Sequence, residues 1–157
     1  MTSQLQRAVA GLFATVVILL ASAGPVRAHG LEPALLALRE QQPGVFAVAW
    51  KSSKIRLPGA DVKPRLPARC TAVGSGEEID LGDRTEARWT IDCGPEGLVG
   101  ESVGVDGLEV SRITALLLLD RADGTSTQAV LNARMPVLVV PAAPSRWTVL
   151  HDYVALR

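Results

Sequence analysis

Residues 86–93, EARWTIDC, carry the cleanest two-residue alternation in the chain. Ala87, Trp89, Ile91 and Cys93 fall on one side, and Glu86, Arg88, Thr90 and Asp92 on the other. Successive side chains of a strand point to opposite faces, so this pattern predicts a half-buried β-strand with Trp89 and Cys93 inward. Gly94-Pro95 ends it.

Working outward from that strand, the same reading repeats. Upstream, residues 69–73 form a short strand carrying Cys70, and Gly74-Ser75-Gly76-Glu77-Glu78 reads as a turn. Residues 52–67, SSKIRLPGADVKPRLP, mix three prolines with Lys54, Arg56, Lys63 and Arg65. They read as a long exposed loop. Before them, residues 34–40 and 45–51 are two strands joined by Gln41-Gln42-Pro43-Gly44, a hairpin turn in which Pro presets φ and Gly takes a positive φ. Phe46, Val48 and Trp50 share one face of the second strand, and Val45, Ala47 and Ala49 share the other. With both faces apolar, that strand belongs in the middle of a sheet.

Downstream, residues 98–105 form a strand weakened by Gly100 and Gly104, which mark a bulge or a close backbone approach. Residues 110–119 read as one long apolar strand, with the four leucines at 116–119 buried on both faces. Asp123-Gly124 turns it into a strand over residues 125–131. Residues 136–141, PVLVVP, form a last strand framed by prolines, as suits an edge. Seven to nine short strands, spaced by turn signals and without an amphipathic helix among them, predict an all-β, antiparallel β-sandwich over residues 29–140. Trp50 and Trp89 are expected in its core.

Residues 1–28 read as an export signal. Arg7 supplies the positive start, residues 8–23 are apolar, Gly24-Pro25 breaks the run, and Val26-Arg27-Ala28 offers a cleavage site. The protein is therefore expected outside the cytoplasm, in the periplasm or on the outer face of a membrane. There, the two cysteines, Cys70 and Cys93, most simply form one disulfide. Such a cross-link would be worth about 3 kcal/mol in the chain-entropy picture.

The whole chain balances 16 basic against 16 acidic residues. Cleavage after Ala28 removes Arg7 and Arg27 and leaves a net charge of −2. That balance excludes a basic nucleic-acid stripe and a polybasic lipid-binding segment.

Residues 141–157 change character. Pro141-Ala142-Ala143-Pro144 is a stiff linker, Ser145 can cap a helix, and Trp147, Leu150, Tyr153 and Val154 follow helical spacing. Packing on the sandwich and lying at a membrane interface both fit that spacing, since Trp and Tyr beside Arg146 and Arg157 suit an interface.

No GxSxG is present, and His151 sits in the tail with nothing to fix it beside a serine. No carboxylate pair has an apolar setting that would split two pKa values. A non-enzymatic protein is expected, without a resident cofactor. The sharpest chemical feature is His29. After cleavage, its α-amine and imidazole would chelate Cu(II) or Ni(II), ions suited to tetragonal nitrogen ligation. Its potential companions are sparse: His151 is the only other histidine, and Met135 is the only mature methionine.

Several stretches in fixed order resemble one family. These are AHGLEPALLAL at the signal junction, GVFAVAWK, RLPARC, GLVGESVGVDGLEVSRITALLLLDRADG and ARMPVLVVP. Over most of residues 28–154 the chain resembles the extracytoplasmic amino-terminal domain of HupE/UreJ family membrane proteins. The resemblance implies a β-sandwich outside the membrane, tied in the family to transmembrane helices assigned to nickel or cobalt transport. It further implies a docking or sensing role beside a membrane protein partner or a separately encoded transmembrane domain. No transport residue carries over, because no apolar span or Asp-His pair follows Tyr153 in this sequence.

Overall fold

The computed structural model describes residues 32–142. The expected signal peptide, His29 and the tail beyond Ala142 lie outside them. The described chain forms nine strands and one short helix. In order these are β1 (Ala34–Gln42), β2 (Val45–Ser53), β3 (Lys63–Arg65), β4 (Thr71–Asp80), β5 (Arg84–Asp92), β6 (Ser102–Asp106), α1 (Leu108–Ser111), β7 (Ala115–Asp120), β8 (Ser126–Leu131) and β9 (Val137–Val139).

They make a two-layer β-sandwich. One sheet has six strands in the order β4-β5-β2-β1-β7-β8, and the other has three in the order β3-β6-β9. The core lies between them. Leu36 and Leu38 of β1, Phe46, Val48 and Trp50 of β2, Ile91 of β5 and Leu117 and Leu119 of β7 face Val103 and Val105 of β6. Each contributes every second residue, as the pleat demands. Leu36 packs as the cross-strand neighbour of both Trp50 and Leu117, at the middle of the sheet.

β2 is central, between β5 and β1. The sheet is not wholly antiparallel. β1 and β7 run parallel, from Ala34 opposite Ala115 to Arg39 opposite Asp120. A parallel pair needs a crossover. Here β6, in the second sheet, and α1 carry the chain back to the end where β1 begins, and Ala34 N–H donates to Thr114 O at 2.9 Å.

Four local expectations also change. The apolar run from residue 110 is interrupted by α1, and Arg112 leaves it in a left-handed conformation (φ 56°). Leu108 and Ser111, three apart, share the buried side of that turn while Val110 is exposed. Leu117 and Leu119 are buried, but Leu116 and Leu118 on the opposite face are only half-buried. Residues 74–78 are not a hairpin turn. They lie within β4, where Gly74, Ser75 and Gly76 bulge out between the pairs Val73–Thr90 and Glu77–Arg88. The loop 52–67 contains β3, whose Pro64 sits at a sheet edge, where a missing N–H costs no ladder bond.

Gly104 is the close approach its sequence position implied. A Cβ there would lie 2.3 Å from Pro136 O, so only glycine lets β9 pair with β6.

Candidate functional site

The six-stranded sheet has a second face, and no described element covers it. Register alone builds it. One row runs Leu118, Ala37, Ala49, Arg88, Glu77 across β7, β1, β2, β5 and β4. The next runs Asp120, Arg39, Ala47, Thr90. Small side chains in the middle and long ones at both sides leave a groove of about 510 Å³. Ala37, Ala47, Ala49 and Leu118 make its apolar floor. Arg39 and Asp120 stand at one side, and Arg88, Glu77 and the bulge residue Ser75 at the other. The volume lies in the range of ligand pockets. Its lining holds no histidine or cysteine.

Beside the groove the sheet carries a buried charge. Glu86 is only 4 % exposed although it faces outward. Arg88 Nε donates to its Oε1 at 2.5 Å, and Lys51 Nζ lies 3.0 Å from Oε2. Hydrogen bonds from Arg88 first and Lys51 second hold the Glu86 carboxyl below its usual value near 4.5, against the opposing effect of burial. This arrangement fixes Arg88 at the groove wall by anchoring it to its own strand.

A second cavity lies under the 53–62 loop, lined by Ser52, Ile55, Leu57, Val62, Ser111 and Ile113. Its volume of about 20 Å³ has room for about one water. Ser111 Oγ, which lines it, is buried and has no hydrogen-bond partner among the described residues.

The sequence-predicted residues fall as follows. The sulfurs of Cys70 and Cys93 are 2.08 Å apart, a disulfide distance. Cys93 is buried and Cys70 is half-buried against the core. Trp50 is 7 % exposed within the core, whereas Trp89 is half-buried at its margin, paired with Val48. Trp89 lies opposite the β4 bulge, which leaves it without a paired neighbour on that side. His29 lies outside the described residues. Among the described residues, no group of three His, Cys, Asp or Glu side chains is placed to hold a metal ion. No described helix is long and apolar enough to cross a membrane.

No family model, curated protein or solved structure matches this chain significantly.

Two structural clamps went unread in the sequence. Arg69 donates from Nη1 to Cys93 O at 2.9 Å and from Nη2 to Gly97 O, and its Nε lies 2.9 Å from Glu101. It ties the disulfide end of β5 to the entry of β6. Glu40 accepts from Gly44 N at 2.9 Å and from Ala122 N at 2.9 Å, joining the β1–β2 and β7–β8 turns. The only sequence signal for Arg69 was its place beside Cys70. Glu40 broke the alternation of β1 without a local reason.

Proposed function

We propose that this chain is a non-enzymatic, exported docking module, the counterpart of the extracytoplasmic domain of HupE/UreJ-type membrane proteins. The observation that carries this reading is the uncovered apolar face of the six-stranded sheet, with its grooved centre and charged sides. A soluble domain has no stability reason to line both faces of a sheet with Leu, Val and Ala. A contiguous apolar patch bordered by charge is what a partner-binding surface requires. Its partner is an apolar segment of an integral membrane protein.

The order of the resembling stretches supports the reading. HGLEPALLAL runs into β1, GVFAVAWK contributes most of β2, and RLPARC leads to the disulfide. DGLEVSRITALLLLDRADG spans α1, β7 and the following turn, and ARMPVLVVP contains β9. The disulfide distance between Cys70 and Cys93 supports export, because such bonds persist in oxidising compartments.

The test is a photocrosslinking amino acid placed at Ala49 in the groove floor and, as a control, at Glu109 on α1. Cells that make the protein are irradiated, and adducts are identified by mass spectrometry. The expected result is an adduct from Ala49 with one integral membrane protein, absent from Glu109. Equal yields from the two positions, or no adduct from either, overturn the proposal.

A further inference from the structure

We propose that one end of the sandwich, the end at which β1 begins, rests on a phospholipid bilayer and inserts apolar side chains into it from four separate connections. This surface is distinct from the outer groove, and the inference does not rest on the docking reading.

Strand pairing decides which connections share that end. Near the start of β1, Ala34 lies opposite Ala115, Leu35 opposite Lys51, and Ala115 opposite Leu131. At the end of β2, Ser53 lies opposite Arg84, and Thr85 in turn opposite Asp80. The connections 54–62, 81–83, 107–114 and 132–136 therefore all emerge together. Lys54 N–H donates to Asp83 O at 2.8 Å, and Ile55 and Leu57 line one small cavity with Ser111 and Ile113, so neighbouring connections adjoin.

These connections carry Ile55, Leu57, Leu81, Val110 and Met135, all exposed. Ile55 is 70 % exposed and Val110 57 %. Among the described residues, the connections at the opposite end hold one large exposed apolar side chain, Val99. A single exposed apolar residue is ordinary. A row of them at adjoining turns is not, since turns favour Gly, Pro, Asn, Asp and Ser.

The charges at this end suit phosphate headgroups. Lys54 and Arg56 alternate with Ile55 and Leu57. The nearby carboxylates are already held: Asp80 by Lys54 at 2.6 Å, Asp61 by Arg56 at 3.5 Å and by Lys63, and Glu32 by Arg84 at 3.1 Å. Arg84 also lies 3.6 Å from Asp83, and Arg65 lies 3.6 Å from Asp106. Among the described residues, Arg112 and Arg134 have no acidic partner, and Glu109 is the one carboxylate at this end without a cation. Cations at the tips with little free negative charge between them complement a layer of phosphates.

The spacing favours a fluid partner over a folded one. Leu81 follows β4 and Met135 follows β8, the two edges of the six-stranded sheet. The row thus runs across five strand spacings, about 24 Å. A rigid protein would need a pit for each side chain in the matching place, with charges admitted between them. Acyl chains accept separated side chains, while Lys and Arg keep their heads at the phosphate level. In this pose the strands stand upright on the membrane, and the outer groove faces along it.

Flotation of the processed protein with vesicles of equal parts phosphatidylethanolamine and phosphatidylglycerol tests this. The expected result is a bound fraction that falls at least about tenfold in Ile55→Glu/Val110→Glu and less than about twofold in Val99→Glu. All three positions are exposed, and an unchanged urea midpoint checks that the fold is kept. The two cysteines are joined to each other, so one introduced cysteine can carry the polarity-sensitive dye NBD. On vesicles, NBD at Leu81→Cys should brighten and be quenched by doxyl-labelled lipid, whereas NBD at Val99→Cys should do neither. Failure of the unmodified protein to float overturns the inference. Flotation that survives Ile55→Glu/Val110→Glu also overturns it, since another part of the chain then holds the vesicle. So does brightening at Leu81→Cys without quenching by doxyl lipid when cell extract is added in place of vesicles, which would make this end a protein contact.

Discussion

Gly44 and Gly124 are a matched pair for testing how the sheet's upper end is built. Both sit in hairpin turns with left-handed backbone, at φ 79° and φ 84°. They differ in surroundings. A Cβ on Gly44 would lie 1.8 Å from Gly94 O, whereas one on Gly124 meets nothing within 4 Å. Gly44 O also accepts from Cys93 N at 2.8 Å, so the β1–β2 turn is pinned against the residue that carries the disulfide. An alanine in the left-handed region costs about 1–2 kcal/mol. Gly124→Ala should lose that much and no more. Gly44→Ala adds an overlap that cannot be relieved by a side-chain rotation, because the atom met is backbone. Overpacking of that kind costs about 1–3 kcal/mol. Gly44→Ala should therefore lose about 2–5 kcal/mol in all. With a urea m-value of about 2 kcal/mol/M, the two variants separate by roughly 0.5–1.5 M in midpoint. Urea titration followed by tryptophan fluorescence reads this directly. Equal midpoints for the two variants would refute the close packing of the β1–β2 turn on Gly94.

Three further outcomes follow from the geometry. Replacing both cysteines, Cys70→Ser with Cys93→Ser, should cost about 2–4 kcal/mol in the same urea assay, and an unchanged midpoint would remove the disulfide from the fold's support. Acid should destabilise the protein partly through Glu86: its folded pKa is lowered by Arg88 and Lys51, so its contribution is present above the unfolded value near 4.5 and is lost as pH falls through the folded value. Glu86→Gln should flatten the stability–pH curve in that acid window, and a slope unchanged there would show that the ion trio contributes nothing. Cu(II) and Ni(II) should bind the mature chain no more tightly than a short peptide beginning with His, whereas a tight site lost in His29→Ala would replace the docking reading with a metal-binding one.

What was legible in the sequence was the alternation of β5 and the apolar runs cut by turn residues. β5 alternates apolar with polar residues, β1 and β2 read as strands from apolar runs on either side of a turn, and the hairpin turns at Gly44 and Gly124 announce themselves with Pro-Gly and Asp-Gly. What was not legible was long-range pairing. Nothing local in residues 115–120 distinguishes a parallel from an antiparallel neighbour, because Ala and Leu bury equally well either way. The helical turn α1 escaped for a related reason: Leu108 and Ser111 are too few to display a 3.6-residue period, and Val110 and Ile113 read as strand formers. The bulge in β4 looked like a turn because glycine serves both uses. Only the opposite strand, with Thr90 and Arg88 still paired across the gap, tells them apart. The alternation of β5 placed Trp89 inward and Glu86 outward. That is geometrically right, yet it reversed their burial. Trp89 faces a stretch where its neighbour strand bulges away, and Glu86 is closed over by the two cations that it binds. The groove is a consequence of pairing as well, since Ala37 and Ala49 become neighbours only through register.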